Sequence, residues 1–231
     1  MAKYSRMTVL ANMLADGLVP IFYHPEIEVA TRIVAACFEG GARCIEFANR
    51  GSQTNRVFQQ LIDRFETPNG PALGIGTILN STTAAIYLEA GANFIVGPTF
   101  TAETARLCNR RKVAYLLGCC TVSEIAQAEE MGVEICKLFP GSLGGPAFVK
   151  AVRGPMPLTR LMPAGGVEAT EECVKDWFEA GAACVGIGNS LISNEAVERG
   201  DFSMITQQVQ RVLGWIQASR GQIESSLADT I

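Results

Sequence analysis

Short apolar runs alternate with longer amphipathic stretches along the whole chain, and four of the runs share one approach. Glu39-Gly-Gly-Ala-Arg-Cys-Ile-Glu46, Glu89-Ala-Gly-Ala-Asn-Phe-Ile-Val96, Glu130-Met-Gly-Val-Glu-Ile-Cys-Lys137 and Glu179-Ala-Gly-Ala-Ala-Cys-Val-Gly186 each set a glycine two residues after a Glu and then run apolar. The pattern predicts a helix end, a glycine cap and a strand. The copies start about 40 to 50 residues apart, twice the length of one βα unit, and such self-similarity signals a repeated architecture. Further apolar runs at 18–22, 72–76, 113–117 and 161–163 are strand candidates between the copies. One right-handed way to close eight strands separated by helical stretches is the barrel, so the predicted class is α/β, a (β/α)8 TIM barrel. An extra N-terminal helix is expected over about 4–14. Residues 1–218 then form a single barrel domain, and the polar, aperiodic stretch 219–231 is expected to be a frayed C-terminal tail.

In such barrels the inward side chains stack in layers drawn from alternate strands. Counting seven residues on from the Glu of each repeat reaches equivalent positions on strands two, four, six and eight, occupied by Glu46, Val96, Lys137 and Gly186. A carboxylate and an amine thus share one layer, and Gly186 leaves room beside them. Lys137 is the more demanding of the two, because an ammonium among Ile135, Cys136, Leu138 and Phe139 must be paired or neutralised. A neutral amine in a dry site is a nucleophile toward carbonyls. A purely structural ion pair is the competing reading, but such pairs often do no better for stability than apolar ones, whereas perturbed pairs concentrate at functional sites.

Composition narrows the field. A chain of 231 residues with 48% hydrophobic content fits one large domain, and its net charge of −4 with no basic cluster beyond Arg110-Arg111-Lys112 argues against nucleic acid as a partner. No stretch approaches a membrane span, and the N-terminal segment, broken by Asn12 and Asp16, lacks the continuous apolar run of a signal peptide. The eight cysteines lie partly inside strand runs and form no Cys-x-x-Cys, so they read as small buried hydrophobes of a reducing, cytoplasmic compartment. A single histidine, His24, removes His-rich zinc sites, and no metal or cofactor is expected. His24 follows the first strand and could stand at the barrel mouth, though a loop histidine is more often an ordinary surface group.

Active sites in this architecture sit at the C-terminal ends of the strands, which turns sequence position into candidates. These are Glu46 and Arg50 after strand two, Thr77 after strand three, Pro98 after strand four, and Lys137 with Phe139 on strand six. Gly165-Gly166 and Asn189-Ser190 follow strands seven and eight, where loops commonly bind phosphate through backbone N–H groups and a helix N-terminus. Arg50 offers a forked donor suited to a carboxylate, and Thr77 a hydroxyl.

With Lys137 in Lys-Leu-Phe-Pro, Glu46 in Ile-Glu-Phe, Gly-Ile-Gly-Thr-Ile-Leu-Asn at 74–80, Thr-Val-Ser-Glu at 121–124 and Pro-Ala-Gly-Gly-Val at 163–167, the chain resembles one family. It is similar to the 2-keto-3-deoxy-6-phosphogluconate / 4-hydroxy-2-oxoglutarate aldolases, in order from about Leu10 to Leu213. The resemblance implies a class I carbon-carbon lyase that needs no metal, usually a homotrimer, cleaving a 2-keto-4-hydroxy acid to pyruvate and an aldehyde. It implies that Lys137 forms the Schiff base and Glu46 moves protons, while Arg50 and Thr77 hold the pyruvate carboxylate. Gly165, Gly166 and Ser190 would bind a distal phosphate, and Phe139 would line the pocket. The chain departs from the family pattern at Ala48-Asn49-Arg50-Gly51, at Ala164 where a threonine is usual, at Gly188-Asn189-Ser190-Leu191, and at Phe22-Tyr23-His24, where many members carry an arginine. These changes leave the reaction type standing and the aldehyde open. Two other readings compete: a phosphate-binding barrel lyase or isomerase in which Lys137 acts only by its charge, and a ligand-binding barrel without chemistry.

Overall fold

The computed structural model describes residues 1–228. Its order is α1 (Arg6–Asp16), β1 (Leu18–Phe22), α2 (Ile27–Glu39), β2 (Cys44–Ala48), α3 (Thr54–Arg64), β3 (Ala72–Gly76), α4 (Ser81–Glu89), β4 (Phe94–Val96) and α5 (Ala102–Arg111). It continues through β5 (Ala114–Leu116), β6 (Gly118–Cys119), α6 (Val122–Glu130), β7 (Cys136–Leu138), α7 (Gly141–Arg153), β8 (Leu161–Pro163), α8 (Glu171–Glu179), β9 (Val185–Ile187), α9 (Asn194–Glu198) and α10 (Phe202–Ala228). Six strands pair in the order β5-β4-β3-β2-β1-β9 and three in the order β6-β7-β8, every pairing parallel. Only Leu117 separates β5 from β6, so the single strand expected at 113–117 is two short ones. A parallel bridge between Ala164 and Gly186 links the end of β8 to β9. No helix among the described residues is long and apolar enough to cross a membrane.

Two apolar clusters divide the interior. The larger lies between strands and helices, where amphipathic helices lay their apolar faces on the sheets. The smaller is made of alternate strand residues, Val19, Cys44, Ala72, Phe94, Val96, Ala114, Leu116, Met162 and Cys184, joined by Val9, Leu10 and Met13 of α1. The period-2 alternation of strands sends these side chains to the face opposite the larger cluster. The N-terminal helix therefore plugs one end of the strand assembly, and each buried apolar side chain it contributes is worth about 1.5–3 kcal/mol. It starts at Arg6 rather than near residue 4 because the Ser5 side chain accepts from Thr8 N, an N-cap, and it ends where Gly17 takes a left-handed φ of 73°.

Helix and contacts extend into the stretch expected as a tail from residue 219. The last helix runs unbroken to Ala228; Ser219 is buried and donates to Trp215 O at 2.9 Å. Arg220 donates to Ala15 O and to Ala183 O, each at 2.9 Å, and its guanidinium lies 5.0 Å from the centre of the Phe178 ring. A polar side chain in this stretch is not solvated by necessity, since Arg220 satisfies the Ala15 carbonyl in the last turn of α1. Residues 229–231 of the expected tail lie outside the described residues. Arg220→Ala removes two charge-assisted hydrogen bonds at once. It is expected to cost about 1–3 kcal/mol, roughly 2–10 °C in Tm, measured by thermal denaturation.

Candidate active site

Lys137 is the middle residue of β7, paired in register with Met162 on β8 and Gly118 on β6. Glu46 is the middle residue of β2, in register with Ile21 on β1 and Gly74 on β3. Both side chains point inward, are buried at 6% and 1% exposure, and meet with Lys137 Nζ 3.7 Å from Glu46 Oε1. The sequence count therefore put the carboxylate and the amine in the right layer. Val96, from the same count, is buried in the inner apolar cluster and does not line the cavity above the pair.

Glycines on β3 make this placement possible. A Cβ at Gly76 would lie 1.7 Å from Glu46 Oε1, and one at Gly74 would lie 2.2 Å from the Phe94 ring. Gly76 thus leaves the volume the carboxyl occupies, while Phe94 fills the space over Gly74 and floors the site. Gly118 plays the same part on the next turn of wall, since a Cβ there would strike Pro98 O at 2.0 Å. Gly186 lines the cavity beside the pair, and a Cβ there would meet Ile21 Cδ1 at 2.8 Å and Ala164 Cβ at 3.1 Å.

Burial is the main influence on Glu46 and pushes its pKa above the ordinary carboxylate value, with Lys137 first and Arg50 second pulling the other way. Glu46 Oε2 is buried without a hydrogen-bond partner among the described residues. A half-satisfied carboxyl in a dry site beside an amine is costly as structure and useful as a proton carrier.

Above the pair opens a cavity of about 490 Å³, lined by Ile21, Glu46, Arg50, Thr77, Pro98, Lys137, Phe139, the segment 164–168, Gly186, Gly188, Asn189 and Ser190. Every residue nominated from the sequence for catalysis or binding lies on its wall. Arg50 extends from the loop after β2 with no ion pair or hydrogen bond among the described residues, leaving its guanidinium available to an anion. Thr77 holds φ at 60°, a left-handed conformation that costs a β-branched residue about 1–3 kcal/mol and clusters at functional sites. Phe139 is partly exposed over the site, its ring centre 5.4 Å from Lys137 Nζ.

The start of α7 is tied to the loop after β8 by Gly141 N donating to Ala164 O at 2.8 Å and Ser142 N donating to Gly165 O at 2.9 Å. Gly165 and Gly166 have φ of 78° and 85°, and a Cβ at Gly166 would meet Ser142 Cβ at 2.5 Å, so glycine is required by both conformation and space. Ser190 lines the cavity and also joins its loops. Its hydroxyl donates to Val167 O at 3.3 Å and accepts from Ala169 N at 3.1 Å, bracing the two loops together. His24 accepts from Glu26 N at 3.1 Å within its own turn and does not line the cavity. Sequence reasoning missed Ile21 and Glu168. Ile21 was legible as the inward alternate of Val19, whereas Glu168 lies past a glycine pair whose turn no pattern predicts.

A model of the family described as KDPG and KHG aldolase matches residues 10–208. The 2-dehydro-3-deoxy-phosphogluconate aldolase of Treponema pallidum is 28% identical over 90% of this chain and 97% of its own. That of Pseudomonas aeruginosa is 33% identical over 75% and 77%. Among solved structures, a KDPG aldolase from Legionella pneumophila, with pyruvate captured as a covalent carbinolamine, superposes with a TM-score of 0.78 at 28% identity, covering 87% of this chain and 96% of that one. A buried lysine facing a buried glutamate at the floor of this cavity, on this fold and with these relatives, places the chain in the KDPG and KHG aldolase family.

Proposed function

We propose that this protein is a class I aldolase that cleaves a 2-keto-4-hydroxy acid to pyruvate and an aldehyde through a Schiff base on Lys137. The observation that carries the reading is the Lys137–Glu46 pair, 3.7 Å apart and buried at the floor of an open cavity. The amine of Lys137 adds to the C2 carbonyl, and the carbinolamine loses water to give an iminium. The iminium accepts the electron pair of the C3–C4 bond as Glu46 takes the proton of the C4 hydroxyl. An enamine of pyruvate and a free aldehyde result. Glu46 returns the proton to C3, and water releases pyruvate from Lys137. The partnerless Oε2 is suited to that transfer. Arg50 and the strained Thr77, on adjacent strand ends, would hold the pyruvate carboxylate, and Phe139 would shield the imine from water.

The finer architecture belongs to the same proposal. Counting β5 and β6 as one strand and the Ala164–Gly186 bridge as a closing contact gives an eight-membered ring, the (β/α)8 barrel. Family membership supports a homotrimer, and eight free cysteines, mostly buried, support a reducing cytoplasmic location.

Sodium borohydride reduction with pyruvate, read by intact-mass and peptide mass spectrometry, tests the chemistry. One reduced pyruvate adduct on Lys137 is expected. Folded protein without an adduct would move the assignment to a barrel lyase or isomerase using Lys137 only as a charge, or to ligand binding alone.

A further inference from the structure

The distal end of the cavity, between the loops after β8 and β9, carries two features that pull a ligand in different directions. The amides of Gly165, Gly166, Asn189 and Ser190 have no backbone partner among the described residues, so this end offers donors to an acceptor group. Glu168 also lines the cavity there and is an exposed residue. The backbone on either side of it is held, because the Ser190 hydroxyl donates to Val167 O and accepts from Ala169 N. The cavity's two cationic side chains, Lys137 and Arg50, rise from β7 and the loop after β2, and neither belongs to the distal loops. The helix that follows, α8, starts with Glu171 and Glu172 in its first turn, which offsets the positive end of its dipole.

A phosphate only accepts hydrogen bonds and carries close to two negative charges, so it would use the amides and be repelled by Glu168. A second carboxylate at the far end of the substrate meets the same repulsion. A hydroxyl both accepts and donates, and so satisfies an amide and the Glu168 carboxylate together. Resting on the aldolase reading above, we propose that Glu168 is a specificity-determining residue and that the substrate is a 2-keto-4-hydroxy acid ending in neutral hydroxyls rather than in a phosphate. The expectation from family resemblance that Gly165, Gly166 and Ser190 bind a distal phosphate is thereby replaced by a polyol subsite built on the same loops.

The test is a pair of acids that differ only in the terminal phosphate, gluconate and 6-phosphogluconate, bound to the wild type and to Glu168→Gln in calorimetric titrations. Neither acid has a ketone, so binding reports the distal end whether or not Lys137 forms an imine, and failure here is separable from failure of borohydride trapping. The wild type is expected to prefer gluconate, and Glu168→Gln to shift the affinity ratio toward the phosphorylated acid by about tenfold or more, the effect of relieving a like-charge contact. In turnover, the kcat/KM ratio of 2-dehydro-3-deoxy-phosphogluconate to its unphosphorylated form should move the same way. Tighter binding of 6-phosphogluconate by the wild type, a ratio unmoved by Glu168→Gln, or no binding of either acid would each overturn the proposal.

Discussion

Lys137→Ala is expected to abolish cleavage, with a loss of about 10⁴-fold or more, the scale on which enzymes lose rate when a covalent nucleophile is removed. The variant should also lose the borohydride-trapped pyruvate. Removing one member of a buried pair usually destabilises a protein strongly because the other charge is left alone. Here that cost is limited, since burial already holds the Glu46 pKa high and the carboxyl can take a proton when Lys137 goes. Lys137→Arg separates charge from nucleophilicity, as it keeps a cation opposite Glu46 but cannot form an imine. Activity retained in Lys137→Arg would show that the residue works through its charge, and would end the Schiff-base mechanism.

Glu46→Gln is expected to lower kcat about 10²- to 10⁴-fold, the usual contribution of a positioned acid or base, while leaving the reduced pyruvate adduct detectable. Glutamine keeps the shape that Gly76 accommodates, so the site stays assembled. The pH dependence follows from the direction of the pKa shift. Burial raises the Glu46 pKa, hence the ionised base forms only as pH climbs through a value above the ordinary 4.5. The kcat/KM profile of the wild type should rise along an acidic limb lying above that value, and the limb should disappear in Glu46→Gln. An unchanged kcat, or an acidic limb that survives the substitution, would remove Glu46 from proton transfer.

Much of the site was readable because it depends on spacing. Glu46 and Lys137 occupy one layer since each lies seven residues beyond a helix-ending Glu, and the parallel strands preserve that count. Contacts between distant segments were not readable from spacing. The Ser190 hydroxyl is engaged by residues 167 and 169 of another loop. Gly186 lines the cavity, and only the fold shows that Ile21, from the neighbouring strand, packs against it. Arg220 looked solvated, and its partners, Ala15 and Ala183, lie far away in sequence.

The sequence by itself determined the βα repeat, the positions of most strands, the identity of the amine and the carboxyl, and the family. These follow from local periodicity and from fixed offsets along the chain. The tertiary structure decided the 3.7 Å approach of Lys137 to Glu46, the partnerless Oε2, the plugging of the strand interior by α1, and the placement of Glu168 at the distal end of the cavity. Each of these is set by packing and hydrogen bonding between residues remote along the chain, and no periodicity encodes how far apart two such groups come to rest.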